Sequence, residues 1–338
     1  MPTNSSPRRP PLDRAVALVR HAVRSSLVAN VRPGDTVLVG LSGGPDSLAL
    51  AAATAFEASK QGISAGAVIV DHGLQGGSAD VASRAAAHAR ALGLMPVIET
   101  RVVISGAGGP EAAARTARYK AFQSALRDTG ASALLLGHTL DDQAETVLLG
   151  LARGSGSGSL MGMAPVSGSY LRPLLGVRRD DTHAACVAEG LESWTDPHNS
   201  DPAFTRVRVR ERVLPVLERE LGPGIAEALA RTAEQLREDT EAFDAMIDEF
   251  IEEICEPAEA GIAVSVAALG ANPAALRHRI IRMVAYSEFG QSLSRQHTLA
   301  IAALVTDWKG QGPINVPGIS VTRNGGLLEF SAQAPAVG

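Results

Sequence analysis

The chain is poor in the residues on which several protein classes depend. Its two cysteines, Cys186 and Cys255, stand far apart, which argues against a zinc ribbon, a cysteine-ligated iron–sulfur cluster and a disulfide scaffold. Aromatic residues make up only 4%, so stacking platforms for single-stranded bases are not evident. The net charge of −5 argues against general coating of nucleic acid but allows a local basic patch. No apolar run is long enough to span a bilayer and no signal peptide is evident, so we expect a cytoplasmic protein with no membrane partner.

The length and apolar content suit a globular chain of two domains. Domains commonly hold roughly 100–200 residues, and this chain has 338, of which 45% are hydrophobic. Residues 1–12 have the composition of a disordered tail, and the Gly-Pro-Gly at 222–224 is typical of a boundary. We therefore predict a catalytic domain over 13–221 and a smaller, mainly helical docking domain over 222–338. Apolar residues spaced by three and four over 229–254 predict one long helix there, and a small hairpin is expected near the C-terminus.

The most informative stretch is the Ser-Gly-Gly-Pro-Asp-Ser of residues 42–47. An apolar, β-branched run precedes it and an Ala-rich helical pattern follows, which predicts a strand, a tight loop and a helix. Such a loop presents backbone N–H groups and a helix N-terminus to an anion, and an acceptor such as Asp46 among them indicates a divalent cation as well. No Lys follows the glycines, so this is not a Walker A motif; it matches the pyrophosphate loop of enzymes that split ATP into AMP and pyrophosphate. An ordinary glycine turn is the alternative. The candidate nucleotide-binding residues are Ser42, Gly43, Gly44, Pro45, Asp46 and Ser47.

Polar residues also follow a second apolar run, residues 65–70, which predicts a buried parallel strand. Asp71 and His72 stand at its end. Because ligands bind at the carboxyl ends of strands in open α/β sheets, we expect both residues to line the nucleotide pocket. The alternative is a strand-end turn in which Asp71 caps the next helix.

A third apolar run, residues 133–136, ends in Gly137-His138, and a helix with an acidic first turn follows. Capping explains one or two acids at such a position. It does not require His138, Asp141, Asp142 and Glu145 together, so this cluster indicates a shared active site.

Two groups of arginines are candidates for contacts with phosphate. Arg115 and Arg118 share a helix face with Glu111 and Tyr119; a solvated, ion-paired face is the alternative. Arg206, Arg208 and Arg210 alternate with valine in the most basic stretch of the chain. In a strand these arginines would share one face, and in a helix they would spread around it. The stretch is the best candidate for contact with an anionic polymer; the alternative is an ordinary exposed charged surface. The Gly/Ser segment 153–159 is interpreted as a mobile substrate loop, with a plain linker as the alternative.

Taken together, these motifs resemble the tRNA(Ile)-lysidine synthetase family of the ATP-pyrophosphatase (PP-loop) superfamily. The resemblance covers residues 36–215, from the loop 42–47 through Gly137-His138 and the Asp-Asp-Gln-Ala-Glu-Thr of 141–146 to the basic stretch. His198 and Val207 depart from the family pattern. The resemblance implies an α/β fold: an open, mostly parallel sheet with helices on both faces, followed by the smaller C-terminal domain.

The resemblance also implies a reaction. ATP adenylates the 2-carbonyl oxygen of the wobble cytidine of a CAU-anticodon tRNA(Ile), and the ε-amine of free lysine displaces AMP to form lysidine, which changes codon specificity from AUG to AUA. Asp46 would hold Mg²⁺. The implied catalytic residues are Asp46, Arg115, His138, Asp141 and Glu145, with Asp141 or Glu145 orienting lysine or taking its proton; the implied tRNA contacts are Arg118, Arg206, Arg208 and Arg210. The oligomeric state is left open, a homodimer included.

Three other functions are compatible with parts of the sequence. A tRNA thiolase that uses an iron–sulfur cluster needs clustered cysteines, which the chain lacks. An amidating synthetase needs a glutaminase nucleophile motif, and none is apparent. A non-catalytic ATP sensor needs the phosphate loop but not the cluster that follows the third strand.

Overall fold

The computed structural model describes residues 12–71, 73, 77–102, 110–154, 157–194, 201–258 and 261–333, with only the backbone of residues 110, 111 and 157. These residues form two compact units, the first ending at Glu234 and the second beginning at Gln235. That division lies within a helix, C-terminal to the Gly-Pro-Gly; the boundary at 222–224 stays a prediction. None of the helices in the described ranges combines the length and apolarity needed to cross a membrane.

The first unit alternates helices with the strands of one sheet. Its elements are α1 (Arg14–Asn30), β1 (Thr36–Gly40), α2 (Pro45–Lys60), β2 (Ser64–Asp71), α3 (Ser78–Ala91), β3 (Val97–Arg101), α4 (Pro110–Thr129), β4 (Ala133–Leu135), α5 (Leu140–Arg153), α6 (Ser157–Leu160), β5 (Val166–Ser167), β6 (Tyr170–Leu171), α7 (Arg179–Ala188), α8 (Thr205–Arg208), a π-helix (Val209–Val213), α9 (Leu214–Leu221) and the start of α10 (Ile225–Asp248).

The six strands lie in the order β3-β2-β1-β4-β6-β5, and every pairing except β5–β6 is parallel. Successive residues of β1 point to opposite faces: Val37 and Val39 pack in the core formed with α1, α2, α3 and α7, whereas Leu38 packs in the core formed with α4. Both faces are covered, which explains why the strands appear in the sequence as continuous apolar runs. The predicted open, mostly parallel sheet with helices on both faces is confirmed.

The sheet has a topological switch point beside β1. The chain leaves β1 and returns on one side as β2, whereas β4 pairs with its other side. Ligands of open α/β sheets bind at such a point, beyond the carboxyl ends of the strands. The loop after β1 and the segment after β4 both begin there.

The second unit packs helices against an antiparallel sheet. The sheet order is β7-β8-β11-β10-β9, and Phe330, Ile280 and Leu269 are among its buried core residues. The remaining elements are the end of α10, α11 (Ile251–Ile254), β7 (Cys255–Ala258), β8 (Gly261–Ser265), α12 (Val266–Ala271), α13 (Ala274–Phe289), α14 (Arg295–Thr306), β9 (Ile314–Val316), β10 (Ile319–Asn324) and β11 (Leu327–Ala332).

Two details of this unit differ from expectation. The long helix ends at Asp248, and a separate short helix follows Phe250, whose φ of −126° interrupts the helix. The expected hairpin is part of a five-stranded sheet. Its edge strand β7 contains Pro257, a residue that weakens any strand prediction but is tolerated at a sheet edge.

Candidate active site

The Ser-Gly-Gly-Pro-Asp-Ser loop forms the turn between β1 and α2. Gly43 has a φ of +83°, which residues with a Cβ rarely adopt. Ser47 Oγ accepts a hydrogen bond from Ser42 N at 3.2 Å and donates to Gly44 O at 2.9 Å. Pro45 and Asp46 occupy the first turn of α2, where a Pro is tolerated and backbone N–H groups point outward. The loop therefore presents a helix N-terminus to whatever lies beyond the sheet.

A cavity of about 270 Å³ lies at this edge of the sheet, slightly smaller than the roughly 300–1,000 Å³ of ligand pockets. The loop, the end of β2, helix α4 and the segment after β4 all line it. The polar or charged lining residues are Ser42, Asp46, Ser47, Asp71, Ser78, Arg115, Arg118, Tyr119, His138 and Trp194.

The segment after β4 comes very close to the loop. A Cβ on Gly137 would lie 3.1 Å from Asp46 O and 3.2 Å from Ser47 N, so only a glycine fits there without a shift of the backbone. His138, the next residue, lines the cavity. Burial lowers the pKa of His138 to about 4, and the positive charges of Arg172, Arg115 and Arg206 lower it against the opposing effect of Asp142. The imidazole is therefore neutral at physiological pH. In the described part of the chain its Nδ1 is buried without a hydrogen-bond partner.

Asp46 lies between the loop and the N-terminal turn of α7. Thr182 Oγ1 donates a hydrogen bond to Asp46 Oδ1, and Arg179 Nε lies 3.8 Å from Oδ2. Burial raises the pKa of the Asp46 carboxyl; the hydrogen bond from Thr182 and the charge of Arg179 oppose the shift. The side chain keeps 24% exposure, so it remains accessible from the cavity.

Glu145 of α5 is enclosed by arginines. Its side chain has 0% exposure. Arg210 binds both carboxylate oxygens, at 2.6 and 3.1 Å, and Arg179 and Arg206 each approach within 3.2 Å. Three cations from two distant segments thus converge on one buried carboxylate.

The two aspartates of α5 bind the same arginine-rich region. Asp142 closes a capping box with Thr139 and accepts a 2.9 Å hydrogen bond from Arg179 Nη2. Burial on its own raises the pKa of Asp142, but Arg179, the Thr139 N–H and other cations outweigh it, and the net shift is downward. Asp141 accepts a 2.7 Å bond from Arg179 N and pairs with Arg178 at 3.0 Å, so it fixes the start of α7.

Comparison with known proteins follows the division of the chain. The PP-loop domain model matches residues 18–217 and the TilS substrate binding domain model matches residues 265–328. The tRNA(Ile)-lysidine synthase of Leifsonia xyli is 64% identical over 88% of this chain and 90% of that protein; that of Thermobifida fusca is 52% identical over 90% and 93%.

The chain belongs to the tRNA(Ile)-lysidine synthase family. This membership confirms the family resemblance found in the sequence. It also confirms that the enzyme is a ligase and that its PP-loop domain uses ATP. A solved structure, the U34-tRNA thiolase NcsA from Methanococcus maripaludis with its [4Fe-4S] cluster, covers 66% of this chain and 80% of that one, with a TM-score of 0.56 and 20% identity. That likeness shows the fold alone.

Within this family member, the structure groups most of the predicted nucleotide residues. Ser42, Gly44, Pro45, Asp46, Ser47 and Asp71 all line the cavity, and Gly43 lies in the same loop. Asp71 is buried and accepts a 2.9 Å bond from Gly73 N. His72 lies outside the described residues. The roles of these residues stay predictions.

The two predicted arginine groups lie in different surroundings. Arg115 and Arg118 are exposed and line the cavity, and the Arg115 guanidinium lies 5.0 Å from the Tyr119 ring centroid. Arg206 and Arg210 instead turn inward to Glu145. Arg208 points elsewhere, donating to the carbonyls of residues 202 and 203. The basic stretch is helical, so its arginines diverge as the helical alternative predicted.

Several residues that connect the loop 42–47 with α5 were not predicted from the sequence. Arg179 and Thr182 of α7 contact the loop and α5, and Trp194 N donates to Gly43 O at 3.0 Å. Met163, which follows α6, also contacts α5: its N donates to Gln143 Oε1 at 2.6 Å and its O accepts from Gln143 Nε2 at 2.9 Å. No local motif marks these residues; the acids of α5, which need cations nearby, were the one available signal.

The donor set around the loop fits magnesium bound together with phosphate. Within the described ranges, no group of three or more His, Cys, Asp or Glu side chains could hold a metal ion. Mg²⁺ does not require such a group, because it commonly takes one or two carboxylates plus phosphate oxygens and water. The partly exposed carboxylate of Asp46 beside the anion-binding turn meets that requirement.

Proposed function

We propose that the chain ligates the ε-amine of free lysine to C2 of the wobble cytidine of CAU-anticodon tRNA(Ile). ATP first transfers AMP to the 2-carbonyl oxygen and releases pyrophosphate; the amine then forms a C–N bond at C2 and displaces AMP. The product, lysidine, pairs with A rather than G, so codon specificity changes from AUG to AUA.

One observation carries the proposal: the loop, the end of β2, two arginines of α4 and His138 line one cavity at the switch point of the sheet. Adenylation requires a site that binds triphosphate and leaves room for a second substrate at the α-phosphate. The loop supplies N–H donors for the pyrophosphate, whose charge grows as it leaves. Arg115 and Arg118 face the same space and add positive charge.

His138 acts as a neutral group. With a pKa near 4, it does not serve as a cationic acid at neutral pH. His138 lines the cavity, and a neutral imidazole offers one nitrogen that donates and one that accepts a hydrogen bond, which suits the polar edge of a cytosine or an adenylate.

Magnesium, when bound at Asp46, supplies charge neutralisation on the phosphates. Asp46 provides an anionic oxygen for it at the N-terminal turn of α2. The flanking serines, which bond to one another and to the loop backbone, keep the turn in its anion-binding conformation.

Glu145 and Asp141 of α5 are proposed to hold arginine side chains in place rather than to contact lysine directly. Glu145 has no exposed surface and faces Arg179, Arg206 and Arg210, so we assign it to holding these arginines rather than to taking the proton of lysine. Asp141 is engaged with Arg178 and the start of α7 and is assigned the same kind of role. The second unit, over part of which the substrate-binding domain model matches, is proposed to dock tRNA.

Pyrophosphate release tests this function. We expect release with ATP and CAU-anticodon tRNA(Ile), sustained turnover only when lysine is added, and neither with CAU-anticodon tRNA(Met). Release that ignores the tRNA, or turnover that ignores lysine, contradicts the proposal.

A further inference from the structure

A single segment of the chain supports three residues of the loop. Thr182 of α7 donates to the Asp46 carboxylate, Cys186 Sγ donates to Pro45 O at 3.1 Å, and Trp194 N donates to Gly43 O. The segment packs against α2 through the core that α1, α2 and α7 share. All three donors lie outside the loop 42–47 and all three acceptors lie within it, so the segment constrains the loop through contacts from another part of the chain.

The Thr182 hydroxyl is placed for Asp46. The residue is 0% exposed, and its Oγ1 also lies 2.7 Å from Arg179 O. A hydroxyl has one hydrogen, and an ionised carboxylate is the stronger acceptor of the two. The hydrogen bond to Oδ1 restricts rotation of the carboxylate and leaves Oδ2 for other partners.

Arg179 joins the loop to α5. Its Nε lies 3.8 Å from Asp46 Oδ2, while its Nη2 lies 2.9 Å from Asp142 and 3.2 Å from Glu145. One guanidinium therefore faces carboxylates of both helices that border the site. A change in the position of Asp46 alters the pairing of Arg179.

We propose that Thr182 and Arg179 are positioning residues that hold the Asp46 carboxylate in the orientation that binds magnesium–ATP. The inference rests on the proposed nucleotide site at the loop. It assigns the orientation of the acidic group of that site to α7, which contains none of the candidate site residues identified from the sequence. A metal-binding carboxylate needs neighbours that fix its orientation, because a loosely held side chain lowers both the affinity for the metal–nucleotide and the reaction rate.

Valine and serine variants of Thr182 separate this role from packing. Thr182→Val keeps the shape and removes the hydroxyl, whereas Thr182→Ser keeps the hydroxyl. Thr54→Val is the matched control: Thr54 lies on α2 and is also 0% exposed, and among the described residues its hydroxyl bonds only Leu50 O, at 2.7 Å.

The measurement is calorimetric titration of ATP with Mg²⁺ into the full chain, without tRNA or lysine. A hydrogen bond to a charged group is worth roughly tenfold in an equilibrium constant, so we expect Thr182→Val to weaken binding about tenfold, Thr182→Ser less than about threefold, and Thr54→Val not at all. In turnover, Thr182→Val is expected to raise KM for ATP more than it lowers kcat. The two valine variants should lose similar thermal stability.

Two results overturn the inference: affinity of Thr182→Val equal to that of Thr54→Val, or failure of Thr182→Ser to recover binding. Arg179→Lys, with the charge kept, is expected to bind magnesium–ATP more weakly than the native chain, and native affinity would remove Arg179 from the role. If the native chain binds magnesium–ATP but makes no lysidine, the proposed reaction fails while this inference is still decided by the binding data.

Discussion

Replacing Glu145 by Gln tests the buried arginine cluster. Gln keeps the shape of the side chain and removes the charge that faces Arg179, Arg206 and Arg210. Breaking a buried ion pair by removing one partner costs about 3–5 kcal/mol. The three arginines keep between 18% and 35% exposure, so water offsets part of this cost and we expect a loss of about 3 kcal/mol. A domain of this size loses roughly 2–4 °C of Tm per kcal/mol, so Tm should fall by about 6–12 °C.

Glu57→Gln is the matched control for this measurement. Glu57 is also buried, at 1% exposure, but it pairs with one arginine, Arg24, which is half exposed. We expect its Tm to fall by less than half as much as that of Glu145→Gln. Thermal unfolding of both variants in the same buffer makes the comparison. An equal or smaller fall for Glu145→Gln would refute the view that three arginines depend on this one carboxylate.

Three further predictions concern the site. Asp46→Asn should weaken magnesium–ATP binding in calorimetry by more than about tenfold. Little loss of Tm is expected, because partial burial raises the pKa of Asp46 and already disfavours its charged form. Unchanged affinity would take Asp46 out of the site. The pKa of His138 is about 4 in the folded chain, whereas an unfolded histidine titrates near 6.5. The free energy of unfolding of the native chain should therefore fall by up to about 3 kcal/mol as the pH falls from 6.5 to 4. His138→Gln should show a smaller fall of Tm between pH 7 and 4.5, and identical pH profiles would contradict this. Arg208→Ala should keep native Tm and reduce the salt dependence of tRNA binding in filter assays by about one unit of slope or less, whereas Arg210→Ala should lower Tm; native salt dependence in Arg208→Ala would place the RNA elsewhere.

Local patterns were sufficient to predict the catalytic fold. The strands of the sheet are buried on both faces, so they appear as short apolar runs bounded by turns, and β1 and β2 fall where those runs lie. The loop was predictable because Gly43 and the start of α2 are determined by residues adjacent in sequence. Asp13, which accepts from Ala15 N at 2.8 Å, likewise marks the start of α1.

Long-range contacts account for what could not be predicted. Thr182 and Asp46 are 136 positions apart, and nothing in the residues around Thr182 indicates a carboxylate partner. The directions of the Arg206 and Arg210 side chains depend on α8 and on the π-helix that follows it. The sequence did not determine this, because the alternation of arginine and valine fits a strand as well as a helix. In the helical form Arg206 and Arg210 lie about one turn apart and both contact Glu145, whereas Arg208 points elsewhere.

The C-terminal sheet shows the same limit. Residues 261–265 of β8 pair with residues 327–331 of β11, and three helices separate these segments in the chain. Each strand is short, and its core residues pack together with those of α13 and α14, which lie far away in the sequence. The sequence predicted a small hairpin from residues 314–318 and 327–330, but β10 lies between these two strands and pairs with both.

Mass analysis of the wobble nucleoside tests the central claim most directly. CAU-anticodon tRNA(Ile) and tRNA(Met) would each be incubated with the enzyme, ATP, Mg²⁺ and lysine, then digested to nucleosides. The account predicts a nucleoside with the mass of cytidine plus lysine minus water, formed in tRNA(Ile) only and absent when ATP is omitted. Unchanged cytidine in tRNA(Ile), with native magnesium–ATP binding, would contradict it.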